Sequence, residues 1–195
     1  SGGLGIGGSA WIIDPERGMV LSFNGNDSSG AYVSTDLLLP AMTAENGFTW
    51  AFWSKQDAGQ DNNNDTMLGN RYGGSTWIKF TPSYFEFGGH SAADSIDYDN
   101  LPGDTWVHHT VVKDGMDYTY YRNGIQSGTN NINKTCEELP FCMGGDATNV
   151  AELWQGCLSD VRLYAKALSA EEVMAAMEGS GGLWPYASRP VPADG

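Results

Sequence analysis

The sequence predicts an all-β fold in which two antiparallel sheets pack as a sandwich, followed by one short C-terminal helix. Three observations support this prediction. Apolar and aromatic residues alternate with polar ones in short runs, which is the pattern of half-buried strands. The dipeptides Asp-Gly at 114–115 and Asn-Gly at 123–124 are signals for hairpin turns. Ser169 and Glu172 have the spacing of a capping box, which starts a helix.

The composition fits one domain of this class. The chain has 195 residues, 41% of them hydrophobic, which is enough to build the core of one sandwich. Its formal net charge is -14, so the surface repels nucleic-acid phosphates and anionic lipids but tolerates cations such as calcium. No apolar run reaches the roughly 20 residues that a membrane span requires. The chain begins at Ser1 without an initiator Met, so we expect a processed product or an excised domain.

The two ends of the chain differ from its middle, and we divide the chain into three parts. Residues 1–19 are a glycine-rich segment with a first strand, 20–178 the sandwich, and 179–195 an extended, proline-containing tail. If ends of this kind are ordered, they must dock on their own domain or on a neighbouring subunit. Both ends are therefore candidates for assembly into a homo-oligomer or polymer, through Leu4, Ile6, Leu183, Trp184 and Tyr186.

The first half of the sandwich begins with a strand at 20–23 and a turn-rich loop at 24–30. Residues 48–55, FTWAFWSK, alternate strongly and predict an inner strand. Its aromatic residues Phe48, Trp50 and Phe52 share one side, which we expect to pack in the core. Three further short strands are expected within residues 67–87.

Residues 106–115, WVHHTVVKDG, predict a strand that leads into the first hairpin. His108 and His109 are adjacent, so alternation sends their side chains to opposite faces and they cannot act as a joint pair. We interpret one as a core histidine and the other as a surface histidine.

The last strand and the helix lie between residues 158 and 178. The apolar alternation of this strand slips once, at Ser159-Asp160, as a β-bulge would make it slip. The capping box then opens a helix at Ser169, and Gly179 provides a stop.

Residues 156–173, GCLSDVRLYAKALSAEEV, resemble the C-terminal signature of laminin-G-like domains, which are part of the concanavalin A-like lectin/glucanase superfamily. Residues 20–33 and 106–115 resemble an early and a central strand of the same family. The resemblance covers residues 20–177 approximately. It implies a jelly-roll sandwich of the concanavalin A-like type. For such modules it also implies a non-catalytic binding or adhesion role outside the cell, often with bound calcium.

A calcium site is one expectation from this resemblance. In many laminin-G-like domains the early loop contributes oxygen ligands, and here it supplies hard oxygen donors of that type. Carboxylates of the loop before the last strand could converge with it. The candidate ligands are Asn24, Asn26, Asp27 and Asp146. The alternative is a turn whose side chains satisfy its own backbone. No other cofactor is predicted.

Two further interpretations concern aromatic and cysteine residues. Glycan recognition would use an aromatic platform with amide and carboxylate hydrogen bonds, for which Tyr72, Trp77 and Trp154 are candidates. Cys136 and Cys142 flank a short loop that a disulfide could join, whereas the alternative is three buried thiols.

The sequence predicts no enzyme. Glucanases of this superfamily carry catalytic carboxylates alternating on one strand, as E-x-D-x-E or E-x-D-x-x-E, and neither pattern occurs here. Serine-hydrolase, zinc-protease and P-loop motifs are also missing from the sequence. A glycoside hydrolase with carboxylates distant in sequence remains a third and less favoured hypothesis.

The favoured function is therefore an extracellular binding or adhesion module for a glycan or a protein, stabilised by calcium. The alternative is a structural subunit of an extracellular filament or a virion surface that assembles through its two ends. Both hypotheses place the chain outside the cell or at the surface of a cell or virus particle.

Overall fold

The computed structural model describes residues 9–25, 33–39, 42–43, 45–60, 64–71, 76–89, 91–146 and 152–179. These residues form thirteen strands and one helix. The elements are β1 (Ser9–Asp14), β2 (Gly18–Asn24), β3 (Val33–Leu39), β4 (Phe48–Gln56), β5 (Leu68–Gly69), β6 (Ile78–Phe80), β7 (Tyr84–Phe87), β8 (Ser95–Asp97), β9 (Trp106–Asp114), β10 (Asp117–Arg122), β11 (Ile125–Asn131), β12 (Leu139–Met143), β13 (Gln155–Tyr164) and α1 (Ala170–Glu178).

The strands form two antiparallel sheets, which confirms the predicted fold class. The seven-stranded sheet has the order β1-β2-β13-β4-β9-β10-β11, and the six-stranded sheet has the order β3-β12-β5-β6-β7-β8. Strands distant in sequence are neighbours, as β13 between β2 and β4 shows. Within the residues described, no helix has the length and apolarity that crossing a bilayer requires.

The core lies between the sheets and is rich in aromatic residues. Phe48, Trp50 and Phe52 alternate inward from β4, as predicted, and all three are buried. The ring centroid of Trp50 lies 5.8 Å from that of Phe85 on the opposite sheet. Phe52 meets Phe80 edge to face, with centroids 5.0 Å apart. Aromatic packing across the two sheets therefore joins them into one core.

The two histidines of β9 lie on opposite faces, as predicted. His109 is in the core, where Ser54 Oγ lies 2.9 Å from its Nε2 and Tyr120 Oη 2.9 Å from its Nδ1. The prediction that one of the two is a surface histidine is wrong, because His108 is only 1% exposed and His109 is fully buried. Trp53 packs on the His108 ring, with centroids 5.1 Å apart.

The end of the chain folds as the sequence predicts. The register of β13 against β4 shifts between Ser159 and Arg162, and Asp160 there has a φ of 52°, so the bulge is confirmed. Ser169 and Glu172 form the capping box of α1. The helix buries Val173 and Ala176 against the outer face of the seven-stranded sheet.

The predicted disulfide between Cys136 and Cys142 is wrong. Both residues are buried thiols. Cys136 packs in the core between the sheets. The Sγ of Cys142 instead lies 3.9 Å from the carbonyl oxygen of Arg71. The two thiols therefore have different surroundings, and no bond joins them.

Candidate functional site

The six-stranded sheet turns a charged face away from the core. Ile78 and Phe80 of β6 and Phe85 and Phe87 of β7 are buried in the core. Because side chains alternate along a strand, Lys79 and Glu86 lie on the other face. These two residues are register partners in adjacent strands. The outer face of this sheet therefore carries a cation opposite a carboxylate.

A cavity of about 490 Å³ opens at this place. We call it the outer pocket. It is formed by β6, β7 and three flanking segments of the chain, and its lining residues are Asn64, Arg71, Trp77, Lys79, Tyr84, Glu86 and Glu152. A volume of this size suits a small ligand or one or two units of a polymer.

A network of charged groups forms one part of the wall. The Nζ of Lys79 lies 2.8 Å from Glu152 Oε2 and donates to Asn64 Oδ1 at 3.0 Å. The Nε of Arg71 lies 3.2 Å from both Glu152 Oε2 and Asp146 Oδ2. Lys79 is only 1% exposed, so its ammonium group needs these partners to compensate for lost hydration.

Two aromatic side chains form another part of the wall. The indole Nε1 of Trp77 donates to Glu86 Oε2 at 2.7 Å, and the Arg71 guanidinium carbon lies 4.2 Å from the Trp77 ring centroid. The Tyr84 hydroxyl donates a hydrogen bond to Asn64 Oδ1. Burial, together with the nearby carboxylates, raises the pKa of the Tyr84 phenol. This hydroxyl is therefore protonated at neutral pH and acts as a donor.

The three residues that were predicted to contact a glycan have three different outcomes. Trp77 lines the outer pocket, and its role in binding stays a prediction. Tyr72 lies outside the described residues. The structure corrects the prediction for Trp154, because this side chain is 1% exposed and packs in the core, 6.1 Å from Phe23 between ring centroids. Its place in an apolar core excludes it from a binding surface.

Most residues that line the outer pocket were not predicted from the sequence. A signal was present for Lys79 and Glu86, since each is a lone charge between aromatic or aliphatic residues, in IKF and FEF. Such a residue must face away from the core. Arg71 and Glu152 gave no comparable signal, because they come from segments far apart in the chain and meet only after folding.

The predicted calcium ligands are only partly described. Asn26 and Asp27 lie outside the described residues, and Asn24 is an exposed residue at the end of β2. Asp146 is buried and ion-paired with Arg71. In the part of the chain that the structure describes, no three His, Cys, Asp or Glu side chains are grouped to hold a metal ion. Calcium binding stays a prediction.

The predicted assembly residues Leu4, Ile6, Leu183, Trp184 and Tyr186 also lie outside the described residues. The division of the chain at residues 19 and 178 likewise stays a prediction.

Comparison with known proteins agrees with this fold. The family model of the concanavalin A-like lectin/glucanases superfamily, of the laminin-G type, matches residues 26–174. The chain belongs to this superfamily. No curated protein sequence matches the chain significantly.

Several solved structures are similar in fold to this one. One is domain 4 of AbnA, an extracellular arabinanase from Geobacillus stearothermophilus, in complex with arabinotriose. It has a TM-score of 0.65 and 18% identity, over 87% of this chain and 81% of that one. Another is the binding domain of botulinum neurotoxin serotype G, with a TM-score of 0.62 and 13% identity, over 88% of this chain and 45% of that one. A heptameric pentraxin from Limulus polyphemus has a TM-score of 0.57 and 18% identity, over 79% of this chain and 78% of that one.

Proposed function

We propose that the chain is a non-catalytic carbohydrate-binding module that holds a glycan in the outer pocket. The observation that carries this proposal is the lining of the pocket, in which Trp77 and Tyr84 stand beside charged and amide side chains. Aromatic rings pack against the C–H faces of sugar rings, and fixed polar groups hydrogen-bond to hydroxyls. A glycan presents both kinds of surface, so it complements this pocket.

The comparisons support a binding role outside the cell. The similar arabinanase domain was solved with an arabinose oligosaccharide, and its parent enzyme is extracellular. The similar toxin domain is a binding domain. These likenesses are at low identity, so the ligand of this chain is proposed from its own pocket. Calcium bound outside the pocket would stabilise the module without contacting the glycan.

The contacts of the two pocket carboxylates support binding without hydrolysis. A glycoside hydrolase needs one protonated carboxyl group as its general acid. Here Glu152 is ion-paired with Lys79 and Arg71, and Glu86 accepts a hydrogen bond from Trp77. Glu152 Oε2 and Glu86 Oε2 are thus engaged by donors of the pocket wall, so neither oxygen is directed at a glycan as a proton donor. We therefore expect no release of reducing ends from any glycan that binds.

A glycan array followed by calorimetry tests the proposal. We expect at least one class of glycan to bind, and Trp77→Ala to weaken its binding tenfold or more, about 1.4 kcal/mol. Trp11→Ala is the matched control, because Trp11 is 57% exposed and does not line the outer pocket. An array without hits, or equal binding by the two variants, would contradict the proposal.

Assembly is the second candidate function. It is favoured by Trp11, Ile12 and Ile13 of the edge strand β1, which are 57%, 41% and 82% exposed. An apolar edge strand can pair with a strand of another chain. Light scattering of the full chain separates the two candidates. A defined oligomer or a polymer would support assembly, and a monomer that binds glycan would support the binding module.

A further inference from the structure

A second cavity lies at the edge of the sheet that carries the outer pocket. It has a volume of about 370 Å³, and we call it the edge pocket. It is formed by the edge strand β8, by the segment that follows β8, and by β10 and β11 of the other sheet. Its lining residues are Asp97, Tyr98, Asp99, Arg122 and Ser127.

One pair of residues connects the edge pocket to the outer pocket. Tyr84 lines the outer pocket, and its register partner on the adjacent strand, Asp97, lines the edge pocket. The next pair along these strands, Phe85 and Ile96, is buried in the core, so Tyr84 and Asp97 face outward. Side chains of directly opposed residues share one face of a sheet, with Cβ atoms about 4.5–5.5 Å apart. The two cavities are therefore neighbours, one strand apart.

The edge pocket combines a fixed hydrogen-bond donor with two acceptors. The Nη1 of Arg122 donates to the carbonyl oxygen of Asp99 at 2.6 Å, and its Nη2 donates to that of Asn100 at 3.4 Å. These contacts hold the guanidinium group in place and leave further N–H groups for a ligand. The carboxylates of Asp97 and Asp99 belong to exposed residues and accept hydrogen bonds. Sugar hydroxyls, which both donate and accept, complement this set.

Tyr98 gives the edge pocket an aromatic ring in a fixed position. This ring stacks on that of Tyr120, with centroids 4.2 Å apart and an angle of 17° between the planes. Its hydroxyl lies 2.6 Å from the carbonyl oxygen of Thr81 and 3.0 Å from that of Tyr84. The edge pocket therefore has the same combination of aromatic and polar groups as the outer pocket, which suits the same kind of ligand.

The charges of both cavities favour an uncharged ligand. In the outer pocket, Arg71 and Lys79 are both ion-paired with Glu152. In the edge pocket, one arginine stands among two aspartates. The formal net charge of -14 adds a general repulsion of anions. A neutral sugar therefore fits these cavities better than one that carries carboxylate or sulfate groups.

We propose that the outer pocket and the edge pocket are two subsites for one uncharged oligosaccharide, which crosses the pair Tyr84 and Asp97. This inference rests on the proposed function and extends it from a pocket for one sugar to a site for a chain of several units. Contacts that the same chain makes in a second subsite add affinity without a second loss of translational freedom. Longer chains should therefore bind more tightly than short ones.

Calorimetry with chains of different length tests the inference. The probes are homo-oligosaccharides of glucose, xylose, mannose, galactose and arabinose, each from one to six units. For the sugar that binds, we expect the six-unit chain to bind about tenfold more tightly than the two-unit chain, or better. Oligogalacturonate, the carboxylated counterpart of the galactose chain, should bind more weakly than the best uncharged probe.

Ser127→Trp tests the edge pocket itself. Ser127 is an exposed residue of β11 that lines the edge pocket and does not line the outer pocket. A tryptophan here should remove the gain in affinity with chain length and leave the affinity for the two-unit chain unchanged. Gln126→Trp is the matched control, because Gln126 is exposed on the same strand and lines neither cavity. It should bind every probe as the native protein does.

The outcomes separate this inference from the proposed function. Binding that does not depend on chain length would overturn the inference alone, and so would an undiminished length dependence in Ser127→Trp. Tighter binding of oligogalacturonate than of every uncharged probe would also overturn it. If no probe binds, the proposed function is contradicted together with the inference.

Discussion

Lys79 is a buried cation whose charge is compensated by residues far away in the sequence. Its ammonium group contacts Glu152 and Asn64, and Glu152 is also bound by Arg71. Buried polar groups that satisfy one another hold a fixed arrangement, since moving one of them leaves another without a partner. The outer pocket therefore owes its shape to ion pairs as well as to the sheet beneath it.

Replacing Glu152 tests this view of the pocket. Glu152→Gln leaves the Lys79 ammonium group without its ionic partner, and we expect the free energy of unfolding to fall by about 2–4 kcal/mol. Urea unfolding measures the change. Adding Lys79→Met removes the unpaired charge and should restore part of the loss. If Glu152→Gln alone has no effect, the ion pair does not stabilise the fold.

His108 and His109 make stability dependent on pH. Burial, with the nearby charges of Arg17 and Arg162, lowers the pKa of His108 to about 3. Burial also holds the pKa of His109 well below 6.5, with a smaller effect from His108. Both are neutral in the folded protein, whereas histidines in the unfolded chain take up protons below about pH 6.5. The unfolded state then binds more protons, so stability falls as the pH decreases.

The slope of the free energy of unfolding against pH can be measured. Below about pH 6, each of the two histidines should reduce the free energy of unfolding by up to about 1.4 kcal/mol per pH unit. Urea unfolding between pH 7 and pH 5 gives the slope. His109→Gln should lower the slope by the share of one proton, whatever its effect on stability at pH 7. A variant with the slope of the native protein would show that His109 does not contribute.

At the scale of elements, β13 joins the two parts of the seven-stranded sheet. It lies between β2 and β4 and passes Lys55 closely at Gly156. A Cβ at Gly156 would stand 2.4 Å from the Lys55 carbonyl oxygen and 2.6 Å from the Trp154 ring. The backbone of β4 cannot yield without loss of its pairing. Glycine at this position is therefore required by the close approach of the strands, in addition to its φ of 156°, which other residues rarely adopt.

Gly156→Ala should consequently destabilise the protein by about 2–3 kcal/mol, the cost of overpacking a closely packed site. Thermal unfolding measures it. Gly18→Ala is the matched control, because Gly18 has a φ of 72° and open space around its Cβ position. In Gly18→Ala the free energy of unfolding should fall only by the smaller cost of backbone strain, about 1 kcal/mol. Equal losses would show that close approach at Gly156 is not the cause.

At the scale of the whole molecule, the acidic surface and the calcium prediction belong together. The formal net charge of -14 opposes the compact state, and a bound divalent cation would relieve part of this repulsion. We expect millimolar calcium to raise the Tm of chelator-treated protein by several degrees, as a ligand that binds only the folded state does. Asp27→Asn should reduce this shift, and Asp104→Asn, in a different loop, should not. An unchanged Tm would show that the module folds without calcium.

Local patterns predicted the strands and the helix of this fold. Among the residues that line the outer pocket, they selected only Trp77. Alternation placed Phe48, Trp50 and Phe52 in the core, and the slip at 159–160 located the bulge. Trp77 was selected as an aromatic residue, and it lines the pocket. Its neighbours were not selected, because Arg71 and Glu152 meet only through the pairing of distant segments.

The sequence by itself determined the class of fold, the strands that carry the core and the capped helix. These depend on the period of apolar residues and on contacts within a few positions, which can be read along the chain. The tertiary structure decided that Trp154 and His108 are buried, that Cys136 and Cys142 stay apart, and that Lys79 has its partners on Glu152 and Asn64. The physical reason is the same in each case. Burial and ion pairing depend on which distant strands become neighbours, and antiparallel sheets with long connections bring together residues that no local pattern relates.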